Sequence, residues 1–151
     1  HGDAERSSIK KNDMQRELTP EGKEKFKKAV DGWKILIHHV DHIVSSPYIR
    51  TKQTAEILAK GLKFNKDILF DDKLKSGGST EDLIMIANSL AGNEIIFVGH
   101  EPDCSDHLSN LVSSSGFFVD YKKGMIAKVS FNNRVRAGKG TLEFLIPASI
   151  F

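Results

Sequence analysis

Asp41-His42-Ile43-Val44-Ser45-Ser46-Pro47-Tyr48-Ile49-Arg50 and Glu94-Ile95-Ile96-Phe97-Val98-Gly99-His100-Glu101-Pro102 decide the fold of this chain. In each, a short apolar run passes through small residues to a proline that can open a helix. Residues 41–45 and 94–99 read as strands. Ile95 to Val98 is apolar without alternation, the pattern of a strand covered on both faces. Arg50 follows the first strand and His100 the second. The carboxyl ends of the strands in an open parallel α/β sheet form one rim, and ligands bind there. His1-Gly2 brings a third phosphate-competent group, so His1, Arg50 and His100 are expected to gather around one anion-sized pocket.

Working outward, Thr19-Pro20 reads as a helix start, with Thr as N-cap and Pro at the first helical position. Phe26, Ala29, Val30, Trp33 and Ile37 then recur at helical spacing. Ser46-Pro47 opens a helix to about Gly61 whose inner face is Thr54, Ile57, Leu58 and Leu62. Ile68 to Phe70 is a short strand. Ser79, with Asp82 three residues on, resembles a capping box with Asp for the usual Glu, ahead of an amphipathic helix through Leu83, Ile84, Ala87 and Leu90. Pro102 begins another helix, carrying Leu108, Leu111 and Val112. Ala127, Val129 and Phe131 alternate with Lys128 and Ser130, and Thr141 to Ile146 reads as the partner strand across the turn-rich Asn132–Gly140. His1 to Glu17 is polar and reads as a loop. The expected class is α/β: a three-layer sandwich with a mainly parallel central sheet flanked by helices and an antiparallel C-terminal hairpin.

The bulk numbers exclude several functions. A chain of 151 residues, 39% hydrophobic and 28% charged, suits one compact domain with a core. A net charge of +2 is too weak to argue for nucleic acid. Lys23, Lys25, Lys27 and Lys28 read as a solvated helix face, and Lys122, Lys123, Arg134, Arg136 and Lys139 as surface charge, with docking of an acidic partner the weaker reading. No apolar run approaches a membrane span. The single Cys104 excludes an internal disulfide and fits a reducing compartment. No membrane or nucleic-acid partner and a cytoplasmic location are expected. His38, His39 and His42 lack a Cys or Glu to complete a ligand set. His100-Glu101 is not a zincin motif, because position 104 is Cys and the next histidine is His107. Cys104 reads as a small packed residue. No metal or cofactor is expected.

The three convergent side chains suit phosphoryl chemistry. Neutral imidazole is a good nucleophile toward phosphorus, and neighbouring positive charge keeps it unprotonated. Arg50 can grip phosphoryl oxygens with a fixed fork of donors, and His100 can donate to the same oxygens. Helix amino termini near Pro47 and Pro102 add backbone donors. A metaphosphate-like transition state needs mainly positioning and electrostatics, without a metal.

At this point the chain resembles the histidine phosphatase superfamily. His1-Gly2 matches the last two letters of that family's Arg-His-Gly signature and is followed by Asp3-Ala4-Glu5. Arg16-Glu17-Leu18-Thr19-Pro20-Glu21-Gly22 resembles its next motif. Ser46-Pro47-Tyr48-Ile49-Arg50-Thr51-Lys52-Gln53-Thr54-Ala55 and Val98-Gly99-His100-Glu101-Pro102-Asp103 match the second-arginine and second-histidine motifs. The resemblance covers nearly the whole chain and is greatest to the small bacterial phosphohistidine phosphatases. It implies His1 as phosphate acceptor, Arg50 and His100 as catalytic phosphate-binding partners, and Gly2 and Arg16 as further phosphate-binding positions. It also implies an apolar strand ending in arginine ahead of His1, so residues 1–151 are expected to be a single domain lacking its first strand in this sequence.

Many members of that family place a glutamate after the third strand to protonate an alkoxide leaving group. The corresponding stretch, Leu74-Lys75-Ser76-Gly77-Gly78, offers no carboxylate, and Asp71, Asp72 and Glu81 do not fit the motif. Imidazole leaves readily once protonated, so the expectation tilts toward a phosphohistidine-containing protein as substrate, with inorganic phosphate as product. A phosphomonoesterase acting on a small phosphorylated metabolite and a non-catalytic phosphate-binding module are the alternatives.

Overall fold

The computed structural model describes residues 1–151. Its elements are α1 (Pro20–Trp33), β1 (His42–Ser45), α2 (Ile49–Gly61), β2 (Leu69–Phe70), α3 (Thr80–Ser89), β3 (Ile95–Val98), α4 (Asp103–Val112), β4 (Ile126–Ser130) and β5 (Thr141–Ile146). Strands β2, β1 and β3 form a parallel sheet in that order, with Val44 in register with Leu69 on one side and Phe97 on the other. Strands β4 and β5 pair antiparallel. This is the α/β architecture read from the sequence.

The layering follows from β1. Successive strand side chains point to opposite faces. Ile43 packs with Phe26, Ala29, Val30 and Trp33 of α1 and Ala55 and Leu58 of α2. Val44 faces the other way, onto Leu74 and Ile86. Helices therefore cover both faces, and the apolar stripe of α1 is the inward one. The Phe26 and Trp33 rings meet edge to face at 5.4 Å, worth about 0.5–1.5 kcal/mol beyond their burial.

The caps lie where side-chain chemistry puts them. Thr19 accepts the Gly22 N–H, with Pro20 at the first helical position. Ser79 accepts the Asp82 N–H, but Asp82 closes no full capping box, because its carboxylate receives the Ser79 hydroxyl. Two expectations, on the start of α2 and the inner face of α3, need correction. Helix α2 starts at Ile49 rather than Ser46-Pro47; the Ser46 carbonyl accepts the Thr51 hydroxyl and braces the entry turn. Ile86, not Ile84, is the buried isoleucine of α3. Strand β3 meets apolar layers on both faces, as read: Ile96 and Val98 pack with the α1 and α2 layer, Ile95 and Phe97 with the Leu74 and Ile86 layer, though only Val98 is fully buried.

One close approach positions the site loop. A Cβ on Gly22 would stand 2.2 Å from the Asp3 carbonyl oxygen, so only glycine lets the first turn of α1 lie against the segment that follows His1-Gly2. Gly22→Ala is expected to destabilise by about 1–3 kcal/mol through overpacking, despite the roughly 1 kcal/mol that alanine gains in a helix. Urea unfolding checks it, and a neutral variant would mean that the Asp3 segment shifts freely.

Candidate active site

Arg50 stands in the first turn of α2, beside the carboxyl ends of β1 and β3, and is buried. Its Nε donates to His1 Nε2 at 3.2 Å. Its Nη2 lies 3.2 Å from His100 Nδ1 and 3.1 Å from Asp13 Oδ2, and its Nη1 donates to the Asp13 carbonyl at 2.7 Å. The two imidazole centroids are 5.5 Å apart, within the span of one phosphoryl group. Tyr48 adds an aromatic wall, its ring 4.9 Å from the guanidinium carbon and 4.7 Å from the His100 ring. The structure thus brings together His1, Arg50 and His100.

The tautomer of His1 is set from two sides. Its Nδ1 lies 2.7 Å from the Gly2 carbonyl, which can only accept, so Nδ1 carries the proton. Nε2 keeps its lone pair and faces the donor-only guanidinium. Gly2, expected among the phosphate contacts, turns its N–H to Thr54 Oγ1 at 3.1 Å, while the Thr54 hydroxyl donates to the Arg50 carbonyl at 2.7 Å. Gln53 Oε1 accepts the Leu18 N–H at 2.8 Å. The Gln53-Thr54 pair of the arginine motif therefore ties the His1 segment to the helix that carries Arg50.

His100 is buried, and that burial, with the Arg50 charge second, pushes its pKa down to about 4. At neutral pH the ring is uncharged. Arg50 donates to Nδ1, and Nε2 meets Ser46 Oγ at 2.8 Å. Arg16 reaches the site indirectly: its Nε donates to the Glu5 carbonyl and its Nη1 to Asp13 Oδ1, each at 2.7 Å. The Asp13 carboxyl is held below its usual range by the hydrogen bond from Arg16, helped by Arg50 and opposed by burial.

The stretch Leu74–Gly78 is positioned by the core. Leu74 is buried, Lys75 pairs with Asp72 at 2.9 Å, and the Gly77 N–H donates to Asp103 Oδ2 at 2.8 Å. A carboxylate from α4 thus reaches a stretch that has none of its own. Glu101 instead accepts the N–H and hydroxyl of Ser105. His39 pairs with Asp41 and His42 with the Ala91 carbonyl, and no group of three or more His, Cys, Asp or Glu side chains is arranged to hold a metal ion. Burial pushes the Cys104 thiol up to about 11, which makes it a poor nucleophile. No helix is long and apolar enough to cross a membrane.

The sequence reading missed Asp13, Ser46 and Thr54 at this site. The last two stand inside the arginine motif, where a hydroxyl beside a buried histidine or helix start is a usable signal. Nothing in the spacing marks Asp13.

A buried neutral histidine has a sign for stability. The His100 pKa falls from an ordinary 6.5 to about 4 on folding, so the unfolded chain binds more protons between those values and stability is lost as pH falls through that window. His107, lowered by burial while hydrogen-bonded to Thr80, acts in the same direction. Urea unfolding between pH 7 and 4 should show this loss, smaller in His100→Gln; identical slopes would mean that His100 takes up its proton alike in the folded and unfolded chains.

Comparison with known proteins bears on the whole chain. No curated protein sequence matches it. Among solved structures, the protein histidine phosphatase SixA complexed with tungstate superposes with a TM-score of 0.84 at 19% identity, covering 99% of this chain and 94% of that one. A chain assigned as the phosphohistidine phosphatase SixA of Agrobacterium tumefaciens gives 0.79 at 19% identity, covering 97% and 93%. A phosphoserine phosphatase variant from Entamoeba histolytica, in complex with phosphoserine, gives 0.67 at 16% identity, covering 91% and 88%. At these identities the likeness establishes the fold. The model of the histidine phosphatase superfamily, branch 1, matches residues 1–83, more than half of the sequence and the part that holds His1, Arg16 and Arg50; the chain belongs to that superfamily of phosphatases.

Proposed function

We propose that this protein is a metal-independent phosphohistidine phosphatase acting through a covalent phosphohistidine on His1. The observation that carries the proposal is the hydrogen bond from His1 Nδ1 to its own Gly2 carbonyl, which leaves Nε2 unprotonated beside Arg50 and His100. The Nε2 lone pair attacks the phosphorus of the substrate phosphohistidine. The phosphorus–nitrogen bond to the leaving imidazole breaks, and that ring departs protonated. Water then attacks the phosphorus on His1, the bond to Nε2 breaks, and inorganic phosphate leaves. Arg50 holds the equatorial oxygens in both steps, and His100 donates to them from Nδ1 once the entering phosphoryl group draws the guanidinium off that nitrogen and the Ser46 hydroxyl turns to donate to Nε2. The proposed substrate is a phosphohistidine on a protein such as a phosphotransfer domain, in the cytoplasm. The SixA fold supports this choice, as does the leaving group: the stretch Leu74–Gly78 carries no carboxylate to protonate an alkoxide.

The second reading, a phosphomonoesterase acting on a small metabolite, has one observation in its favour. Asp103 presents a carboxylate against Gly77, beside the stretch where relatives keep their acid.

The full-length enzyme is expected to form an acid-labile, base-stable adduct during turnover that His1→Ala abolishes. Normal turnover by that variant would place the nucleophile elsewhere. His100→Ala should slow turnover about 100-fold, the scale of losing one preorganised oxyanion donor. Chelators should leave the rate unchanged.

Substrate class is tested by comparing kcat/KM for a phosphohistidine peptide, an aryl phosphate and a sugar phosphate. The expected order is that order, since the leaving groups depart with decreasing ease without an acid. A sugar phosphate turned over fastest, with Asp103→Asn removing that advantage, would establish the second reading.

A further inference from the structure

Asp13 joins two guanidinium groups. Its Oδ1 accepts from Arg16 Nη1 at 2.7 Å and its Oδ2 from Arg50 Nη2 at 3.1 Å, and its carbonyl takes Arg50 Nη1 at 2.7 Å. The remaining Arg50 nitrogen faces His1. Every nitrogen of this arginine is therefore engaged within the chain, and one carboxylate spans both arginines as a bound oxyanion would. The two sides of the pair differ in freedom. The Arg50 side chain is 5% exposed and the Asp13 side chain 50%, so the cation is fixed below and the anion comes from the solvent side. Asp13 begins a short 3₁₀ turn, Asp13–Gln15, that buries no residue. Apart from the local bond between Asn12 and Met14, the side-chain links of that turn to the rest of the protein run through these arginines.

We infer that Asp13 is an internal competitor for the phosphoryl group: its carboxylate occupies the donors of Arg50 and Arg16 while the site is empty and is evicted, with the Asp13–Gln15 turn, when phosphate or a phosphorylated substrate enters. The inference rests on the proposed phosphatase activity, since it assigns the contested donors to a phosphoryl group. Two anions cannot share the same donors without strong repulsion. A phosphoryl dianion outbids a carboxylate monoanion for a bidentate arginine, whereas a singly charged ligand has little advantage over the resident group. Asp13 thereby selects for dianions and sets their affinity. After hydrolysis its return favours release of inorganic phosphate, the product that would otherwise stay bound.

The test uses the full chain, as wild type, Asp13→Asn and Asp13→Ala, titrated with inorganic phosphate by calorimetry. Both variants are expected to bind phosphate roughly 3- to 10-fold tighter, the worth of two partly exposed ion pairs, and to show KM for an aryl phosphate lowered by the same factor. In the wild type, phosphate should speed amide hydrogen exchange at Met14, Gln15 and Arg16 while slowing it at His1-Gly2 and around His100. Equal or weaker phosphate binding by the variants, or slower exchange across residues 14–16, overturns the inference and leaves the functional reading standing. A lower kcat for a sugar phosphate with unchanged phosphate affinity would make Asp13 a proton donor and overturns it too. Absence of phosphate binding by all three proteins overturns both.

Discussion

A buried guanidinium that cannot lose its proton governs this structure. Arginine stays charged at any accessible pH, and burying that charge costs several kcal/mol unless its donors are met. The chain meets them at Arg50 with two neutral rings, a carbonyl and one carboxylate. The rest of the site's protonation follows. His100 is held neutral by burial beside a fixed cation, His1 is obliged to face that cation with its lone pair, and Asp13 stays ionised between two arginines. The site thus sets an unprotonated nitrogen of His1 and one of His100 against a single buried guanidinium.

The fold serves that arginine with small residues and hydroxyls. Ile43 and Val44 commit β1 to opposite apolar layers, which fixes the strand rigidly. Ser45 and Ser46 then let the chain leave the sheet in a fully buried turn. Thr51 closes that turn onto the Ser46 carbonyl, and Thr54 links Gly2 to the Arg50 carbonyl. Ser46 also holds His100, so the turn after one strand orients the histidine after its neighbour. Histidine, arginine and histidine are remote in sequence, yet hydrogen bonds through two consecutive turns of α2 set their relative positions.

Legibility in the sequence followed the range of the interaction. Caps at Thr19 and Ser79 are local chemistry, and both were readable to the residue. The order of motifs located His1, Arg50 and His100 because each follows its own punctuation. The two-sided covering of β3 was readable from its unbroken apolar run, because side chains on both faces had to find apolar layers. The choice of Ile86 over Ile84 rests on the phase of a short helix, which a few residues cannot set. Asp13 is one of 20 acidic residues in a polar loop, and only the folded chain shows that it alone reaches Arg50. The link from Asp103 to Gly77 crosses from α4 to the loop before α3 and leaves no trace in either segment.

The substrate class turns on where a proton could come from. A general acid must carry its proton at the working pH and be free to give it up at the leaving atom. Asp13, Glu101 and Asp103 are among the carboxylates near the rim. Glu101 is committed to Ser105 at the start of α4. Asp13 is held ionised between two arginines, so it carries no proton to give. Asp103 accepts from the Gly77 N–H at 2.8 Å. On the proposed reading an alkoxide leaving from this pocket would have only Asp103 as a candidate donor, whereas the second nitrogen of an imidazole can take its proton from solvent before the bond breaks. The hydrogen bonds that occupy the acids of this rim therefore support the proposed preference for a leaving group that needs none of them.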